Sequence, residues 1–413
     1  MLYHAYELQR AWLNSASAMA SIGAEFLSNP ANPWGYTGLS PMIASALEVF
    51  AHASAQYGKP EFDIGSVRVD GADDPVRETL VLHRAFGDLK RFRRDGLPKD
   101  APRLLIVAPM SGHYATLLRG TVRRMVQSCD VYVTDWHDAR TVPVSEGRFD
   151  LDDYIDYLVE FLGHIHEEHG ERAHMLAVCQ PSVPAFAATA LTNAREHEAH
   201  AARPKTLTMM GGPIDTRESP TTVNDHAMNR PIEWFRQNVI ATVPMHYAGG
   251  GRRVYPGFMQ LAGFMSMNLG SHMLSHFEMF KHLTQGDEES AQASKDFYEE
   301  YRSVCDMTAE FYLQTVEEVF QTHAIPNGTF MHRGDLVDLT AITDTALFAI
   351  EGERDDISGI GQTKAALPLA SGLDEAKKRY MLAEGAGHYG IFNGSRWRDK
   401  IAPEVEAFLA EHG

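Results

Sequence analysis

Cys179 follows the apolar run at residues 174–178 and precedes QPSVPAFAATAL, which places a thiol on a strand-to-helix turn. Such a turn lifts a nucleophile clear of the sheet, and the helix start beyond it aims backbone N–H groups at the reacting oxygen. A helix start also favours thiolate over thiol. The pentapeptide Ala177-Val178-Cys179-Gln180-Pro181 departs from the usual G-x-S-x-G elbow, with Ala and Pro in the glycine positions. Ala is small and Pro is accepted in a first helical turn, so the geometry is expected to survive. Ser182 sits inside the helix start and is the weaker nucleophile.

The partners of a thiol nucleophile come later, in the order nucleophile, acid, histidine that an α/β-hydrolase follows. ALFAIEGE leads into Arg354-Asp355-Asp356, and RYMLAE leads into Gly385-Ala386-Gly387-His388. In that constellation Asp355 orients the imidazole of His388, which takes the proton from Cys179 and returns it to the leaving group. Each residue lies just past the C-terminal end of a strand, where open α/β sheets gather their sites. An oxyanion hole needs a second amide from the loop after an early strand, here Ala108-Pro109-Met110-Ser111-Gly112. The N–H of Met110 or Ser111 is therefore paired with that of Gln180. Taken singly, a free cysteine is more often an inert core residue, an aspartate a helix cap and a loop histidine mere surface. Their order and their register with strands carry the assignment.

These side chains need a sheet to hold them. Residues 104–108, 131–134, 174–178, 206–210, 346–351 and 379–384 are short apolar runs separated by helix-length segments, the pattern of parallel strands buried on both faces. One crossover helix is explicit: Leu151, Tyr154, Ile155, Leu158, Phe161, Leu162 and Ile165 recur at helical spacing between a capping Asp150 and a terminating Gly170. Residues 1–60 read as helices broken by Asn29-Pro30 and Asn32-Pro33, followed by antiparallel edge strands in SVRVDG and ETLVLHRAFGDLKRFRR. After Gly212 the alternation stops until about Leu339, and the text turns aromatic, Met-rich and helical, including KDFYEEYRSVCDMTAEFYLQTVEEVF. The fold class is α/β, an α/β-hydrolase with a mostly parallel sheet flanked by helices. Its core spans 96–211 and 339–413, a helical cap is inserted at 212–338, and helices and edge strands at 1–95 pack on the core.

Composition narrows the partners. Thirty-seven basic against 55 acidic residues leave a net charge of −18, which repels polyanions and discounts nucleic acid. Three cysteines give no disulfide framework, and the N-terminus lacks the basic start and compact apolar stretch of a secretory signal, so a cytoplasmic location is expected. GAGHYG matches a dinucleotide fingerprint in form, but the 23 residues after Gly390 leave no room for the βαβ unit it requires. His164, His166, His169 and His174 lack metal-ligand spacing and read as a solvated helix face. Asp135 and His137 read as a turn after a strand, at the same rim. Neither a metal nor a resident cofactor is expected.

MLYHAYELQRAWL, PMSGHYATLLRGTV, DVYVTDWHDAR, VCQPSVPAFAA, MGGPIDTR, EGERDDISGIGQT and GAGHYGIFNGSRWR together resemble intracellular poly(3-hydroxybutyrate) depolymerases over nearly the whole chain. The resemblance implies a catalytic triad of Cys179, Asp355 and His388. It also implies a polyester granule as substrate and partner, 3-hydroxybutyrate monomers and oligomers as products, and coenzyme A as an alternative acyl acceptor. Granule association in the cytoplasm follows from the same resemblance. Two rivals accompany it: a polyhydroxyalkanoate synthase-like acyltransferase, and a non-catalytic granule-coating protein.

Between Arg253 and Glu278 lie 24 residues without Asp, Glu, Lys or Arg. Pro256, three glycines, Asn268 and two histidines argue against a bilayer span. Phe258, Met259, Phe264 and Met265, with Met267, Met273 and Phe277, suit contact with an irregular apolar polymer, against the plainer reading that they pack the cap on the core. The sequence leaves the oligomeric state open.

Overall fold

The computed structural model describes residues 2–29, 31, 39–55, 57–267, 269–285 and 287–413. Pro30, Asn32, Pro33 and Asn268, and the side chains of Phe264, Met267 and Met273, lie outside the described residues.

The strands in chain order are β1 (Ser66–Val69), β2 (Ala72–Arg84), β3 (Gly87–Arg94), β4 (Arg103–Val107), β5 (Asp130–Trp136), β6 (His174–Val178), β7 (Thr206–Met210), β8 (Ala241–Thr242), β9 (Arg253–Tyr255), β10 (Met307–Thr308), β11 (Met331–His332), β12 (Asp335–Leu336), β13 (Ala346–Gly352) and β14 (Lys378–Ala383). One sheet carries nine of them, ordered β1-β2-β3-β5-β4-β6-β7-β13-β14. From β5 to β14 every pairing is parallel, while β1, β2 and β3 form an antiparallel edge joined to β5. Counted from β2, the order is that of the α/β-hydrolase fold, with β1 added at the rim. The central strands β4, β6, β7 and β13 are buried along their whole length. Parallel neighbours cannot be joined by hairpins, so crossover helices cover both faces and the strands become apolar throughout. The sheet starts at Ser66, so the edge strands of the first 95 residues are continuous with the core sheet.

Helices α1 (Leu2–Ser28) and α2 (Ser40–Ser54) form a hairpin ahead of the sheet, and α3 (Arg119–Met125) follows β4. In α4 (Leu151–His169) the expected stop and start signals operate. Asp150 and Asp153 make reciprocal capping bonds, and Gly170 ends the helix at φ 68°. All seven of its periodic apolar residues are buried. The helix α5 (Ser182–Asn193) opens directly behind Cys179.

The inserted segment contains α6 (Thr222–Met228), α7 (Ile232–Asn238), α8 (Gly257–Met267), α9 (Leu269–Gln285), α10 (Glu288–Arg302) and α11 (Ala309–Thr315), but it is not purely helical. The helix expected through Ser303–Thr308 is interrupted: β10 pairs with β9, and β9 with β8, in a small antiparallel sheet. The cause lies in two amides drawn out of the helical ladder, Cys305 N–H to the Gly112 carbonyl at 2.8 Å and Asp306 N–H to Asp138 Oδ1 at 3.1 Å.

Two smaller readings also change. Strand β5 runs on to Trp136, so Asp135 is a fully buried strand residue paired with Lys59 at 2.7 Å and Lys90 at 3.3 Å, not a turn. The crowded histidines are not one solvated face. His174 lies inside β6 with Nδ1 3.0 Å from Thr206 Oγ1, and His169 Nε2 lies 2.7 Å from the Tyr132 hydroxyl. Among the described residues, no helix is long and apolar enough to cross a membrane.

Candidate active site

Cys179 stands at φ 67°, in the left-handed region that a residue with a Cβ rarely adopts. Its backbone is held there from two sides. The Cys179 N–H donates to the Met210 carbonyl of β7 at 2.7 Å, and the Ser182 N–H donates to the Cys179 carbonyl at 3.0 Å as α5 begins. The crowding that elbow glycines normally relieve is relieved by a neighbouring strand. A side-chain carbon at Gly212, just past β7, would fall 2.1 Å from Ser182 Oγ and 3.2 Å from the Cys179 carbonyl. Ser182 itself is completely buried, which agrees with its rank as the weaker nucleophile.

Asp355 follows β13 with its side chain wholly buried and does two things at once. Oδ1 accepts the amides of Ile357 at 2.9 Å and Ser358 at 2.8 Å, a local cap, while Oδ2 lies 2.8 Å from His388 Nδ1. One carboxylate thus fixes its own turn and the His388 ring at the same time. His388 opens the short turn after β14, with its ring edge-on to Tyr389 and Phe392. Burial alone pushes its imidazole toward the neutral form. The nearby Cys179 sulfur and the Asp355 carboxylate outweigh that and hold it well above the usual histidine range. The three side chains that come from distant stretches of sequence thus meet at one rim of the sheet.

Gly211 is what lets them meet. It sits at φ 60°, and a side-chain carbon there would lie 2.8 Å from Ile391 Cδ1 and 3.2 Å from both Asp355 Oδ2 and His388 Cε1. Sequence reasoning passed over Gly211 and Gly212, although a glycine pair at the end of a buried strand is a sign of close backbone approach.

The loop after β4 lies opposite the elbow. Ala108 is clamped by three side chains: its N–H donates to Thr134 Oγ1 at 2.9 Å, and its carbonyl accepts Trp136 Nε1–H at 2.8 Å and the Tyr154 hydroxyl at 2.9 Å. Two residues on, the Met110 N–H points at Gln180 Oε1 at 3.4 Å, while Gln180 Nε2 is buried without a partner. Met110 and Gln180 are thus adjacent, and Ser111 is half-buried beside them. The Gln180 side chain enters the space where its own amide was expected to act, which spacing alone did not reveal.

The cap reaches this loop directly. Gln260 of α8 packs against Gly112, where a side-chain carbon would meet Gln260 Cγ at 2.8 Å, and His113 Nε2 lies 2.9 Å from the Tyr301 carbonyl. Burial pushes His113 down to about 4, so it is neutral and serves the contact. Of the four residues expected to meet polymer, Phe258 stacks on Tyr6 of α1 with ring centroids 3.7 Å apart, and Met259 packs against the main core. Met265 is half-buried, and the Phe264 side chain is outside the described residues.

Similarities to known proteins stand beside this geometry. Residues 211–413 match the family described as PHB de-polymerase C-terminus. Over 348 residues the chain is 23% identical to the poly(3-hydroxyalkanoate) polymerase subunit PhaC of Allochromatium vinosum, covering 81% of this chain and 86% of that one. Among solved structures it is similar to the α/β hydrolase GrgF from Penicillium sp. sh18, at 15% identity over 82% of this chain and 99% of that chain with a TM-score of 0.46. A putative lipase from Acinetobacter baumannii AYE is similar at 11% identity over 81% and 93%, with a TM-score of 0.44.

Proposed function

We propose that this chain, an α/β-hydrolase akin to polyhydroxyalkanoate synthases and depolymerases, cleaves the ester bonds of poly(3-hydroxybutyrate) or a close relative through a cysteine thioester. The observation that carries this is the elbow cysteine at φ 67° facing an imidazole whose Nδ1 is held 2.8 Å from a buried carboxylate. In the proposed cycle Cys179 Sγ attacks the ester carbonyl carbon, and the proton held on His388 passes to the departing alkoxide. His388 then takes a proton from water, the hydroxide attacks the thioester, the acid leaves and the cysteine is restored. Asp355 keeps Nδ1 protonated and the ring aimed. The backbone amides of Gln180 and of Met110 or Ser111 hold the oxyanion, a contribution of roughly 3 kcal/mol per donor in such holes. No cofactor takes part in hydrolysis; coenzyme A would enter only as an alternative acceptor. Met259 and Met265 of α8 are the proposed apolar contacts, whereas Phe258 is engaged by Tyr6. Polyester granules are the proposed partner and site of action.

The test is release of 3-hydroxybutyrate from amorphous granules by the purified protein, with and without iodoacetamide. Cys129 and Cys305 are buried, with the Cys129 thiol pushed up to about 12 and that of Cys305 well above its usual range, so alkylation reports on Cys179. Acid release that vanishes on alkylation and in Cys179→Ala is expected. Unchanged release in Cys179→Ala would remove the mechanism. A second reading, polymer synthesis, is favoured by the similarity to the Allochromatium polymerase subunit. Polymer formed from 3-hydroxybutyryl-coenzyme A, with no acid released from granules, would establish it instead.

A further inference from the structure

At the same rim of the sheet, but three strands away from Cys179 along β6-β4-β5-β3, two imidazoles and a carboxylate converge. Neighbouring strands are spaced about 4.8 Å apart, which separates this group from the elbow by about 14 Å. Strand register builds it. His83 of β2 is directly opposite Asp88 of β3, and His137 follows Trp136 of β5, which pairs with Gly87. His83 Nδ1 lies 2.7 Å from Asp88 Oδ1, and His137 Nε2 lies 3.1 Å from Asp88 Oδ2. A ring nitrogen from each histidine and one carboxylate oxygen of Asp88 all fall within 4.8 Å of one another.

The hydrogen bonding of His137 turns one ring nitrogen toward Asp88, where either a proton or a metal cation can sit. Its Nδ1 is 3.0 Å from the Ala85 carbonyl, an acceptor only, so Nδ1 carries the hydrogen. A neutral imidazole has one N–H, which leaves a lone pair on Nε2 aimed at the lone pairs of Asp88. A second proton on Nε2 or a bound cation resolves that clash, and the convergence of three ligand atoms fits the cation. A ring N–H donated to a backbone carbonyl, which fixes the tautomer and aims the other nitrogen, is how proteins orient metal-ligating histidines.

We propose that His83, His137 and Asp88 form a binding site for a divalent transition metal ion, Zn2+ by chemistry, outside the catalytic constellation. Two histidines and one carboxylate supply three ligands, and the open side is left for water or a substrate carboxylate. Zn–N and Zn–O bonds of about 2.0–2.2 Å set tetrahedral ligand atoms about 3.3 Å apart, so His83 Nδ1 and Asp88 Oδ1, now 2.7 Å apart, must part by about 0.6 Å. His83, with 68% of its side chain exposed, has room to do so. The Lys59 ammonium, which acts on His137, is already matched by the buried Asp135 at 2.7 Å, which limits its repulsion of a bound cation. A metal here would fasten the turn between β2 and β3 to the end of β5.

The experiment uses the chelator-stripped full chain, titrated with Zn2+ in a calorimeter and with Co2+ in a spectrophotometer. One site with a Kd of about 10 μM or tighter is expected, weakened at least about tenfold by His83→Gln and by His137→Gln and unchanged by Cys179→Ser. Cobalt should show weak visible bands without thiolate charge transfer. His83 is exposed, so its variant folds even if His137→Gln does not. Binding equal in the wild type and His83→Gln, binding lost with Cys179→Ser, or none up to about 1 mM would overturn the site. The last result would leave Asp88 simply bridging two protonated imidazoles.

Discussion

The elbow makes an unusual demand on Cys179, and a pair of substitutions isolates it. Cys179→Ala and Cys179→Gly both delete the thiol and its contacts with His388, so they differ only in the Cβ. At an ordinary position, alanine is the more stable by about 0.5–1 kcal/mol because glycine loses more backbone entropy. At φ 67° the left-handed backbone costs a residue with a Cβ about 1–2 kcal/mol, and glycine is free of it. The order therefore inverts, with Cys179→Gly more stable than Cys179→Ala by about 0.5–1 kcal/mol. For a chain of 413 residues, an unfolding entropy of about 2.1 cal/mol/K per residue turns 1 kcal/mol into a Tm difference of about 1 °C. Calorimetry, supported by urea midpoints, can resolve that. Both variants should be inactive on ester substrates. An alanine variant as stable as the glycine variant, or more so, would mean that the turn stores no strain and that nothing in the backbone presents the sulfur.

Gly211→Ala brings a methyl to 2.8 Å from Ile391 and 3.2 Å from the His388–Asp355 pair, so kcat on a soluble ester should fall about tenfold to a hundredfold with KM nearly unchanged, as steady-state kinetics would show. Burial, then the neighbouring Asp138, raises the Asp306 carboxyl to about 6. An acid raised on folding binds more protons in the native state, so its contribution to stability is full below about pH 4 and is lost as pH climbs through 6. Asp306→Asn should flatten the dependence of Tm on pH across that window while keeping the acceptor for the Gly257 amide.

The strands were legible because parallel strands buried on both faces leave continuous apolar runs, and the ends of α4 because capping chemistry is local. The meeting of Cys179, Asp355 and His388 could be read from order and register, since each follows a strand whose place in the sheet is fixed by its crossovers. What stayed hidden is tertiary. The pentapeptide lacks elbow glycines, and only the pairing of β6 with β7 shows that Gly211 and Gly212 provide the room. The break after Arg302 is set by acceptors at Gly112 and Asp138, far away in sequence, which no helical periodicity can report. Phe258 looked free to meet a polymer because its partner, Tyr6, lies some 250 residues away in α1.

Hydrolysis and polymer synthesis share the first half of the proposed cycle, formation of a thioester on Cys179. The triad therefore cannot distinguish them; the acceptor that reaches the thioester does. That places the difference in the inserted segment, and the structure ties that segment to the oxyanion loop. The Cys305 amide bonds the Gly112 carbonyl, Gln260 fills the space beside Gly112, and the Tyr301 carbonyl holds His113. A rearrangement of the segment that admitted a bulky alcohol would pull on the loop that carries the Met110 amide. The Met110 bond to Gln180 Oε1 is already long at 3.4 Å, and the unpartnered Nε2 of the same carboxamide makes its present position a weakly held one. Displacing that carboxamide costs little, so an ester carbonyl can claim the amide by moving one side chain. On this reasoning variants in α8 and α10 should alter the ratio of hydrolysis to transfer before they alter acylation.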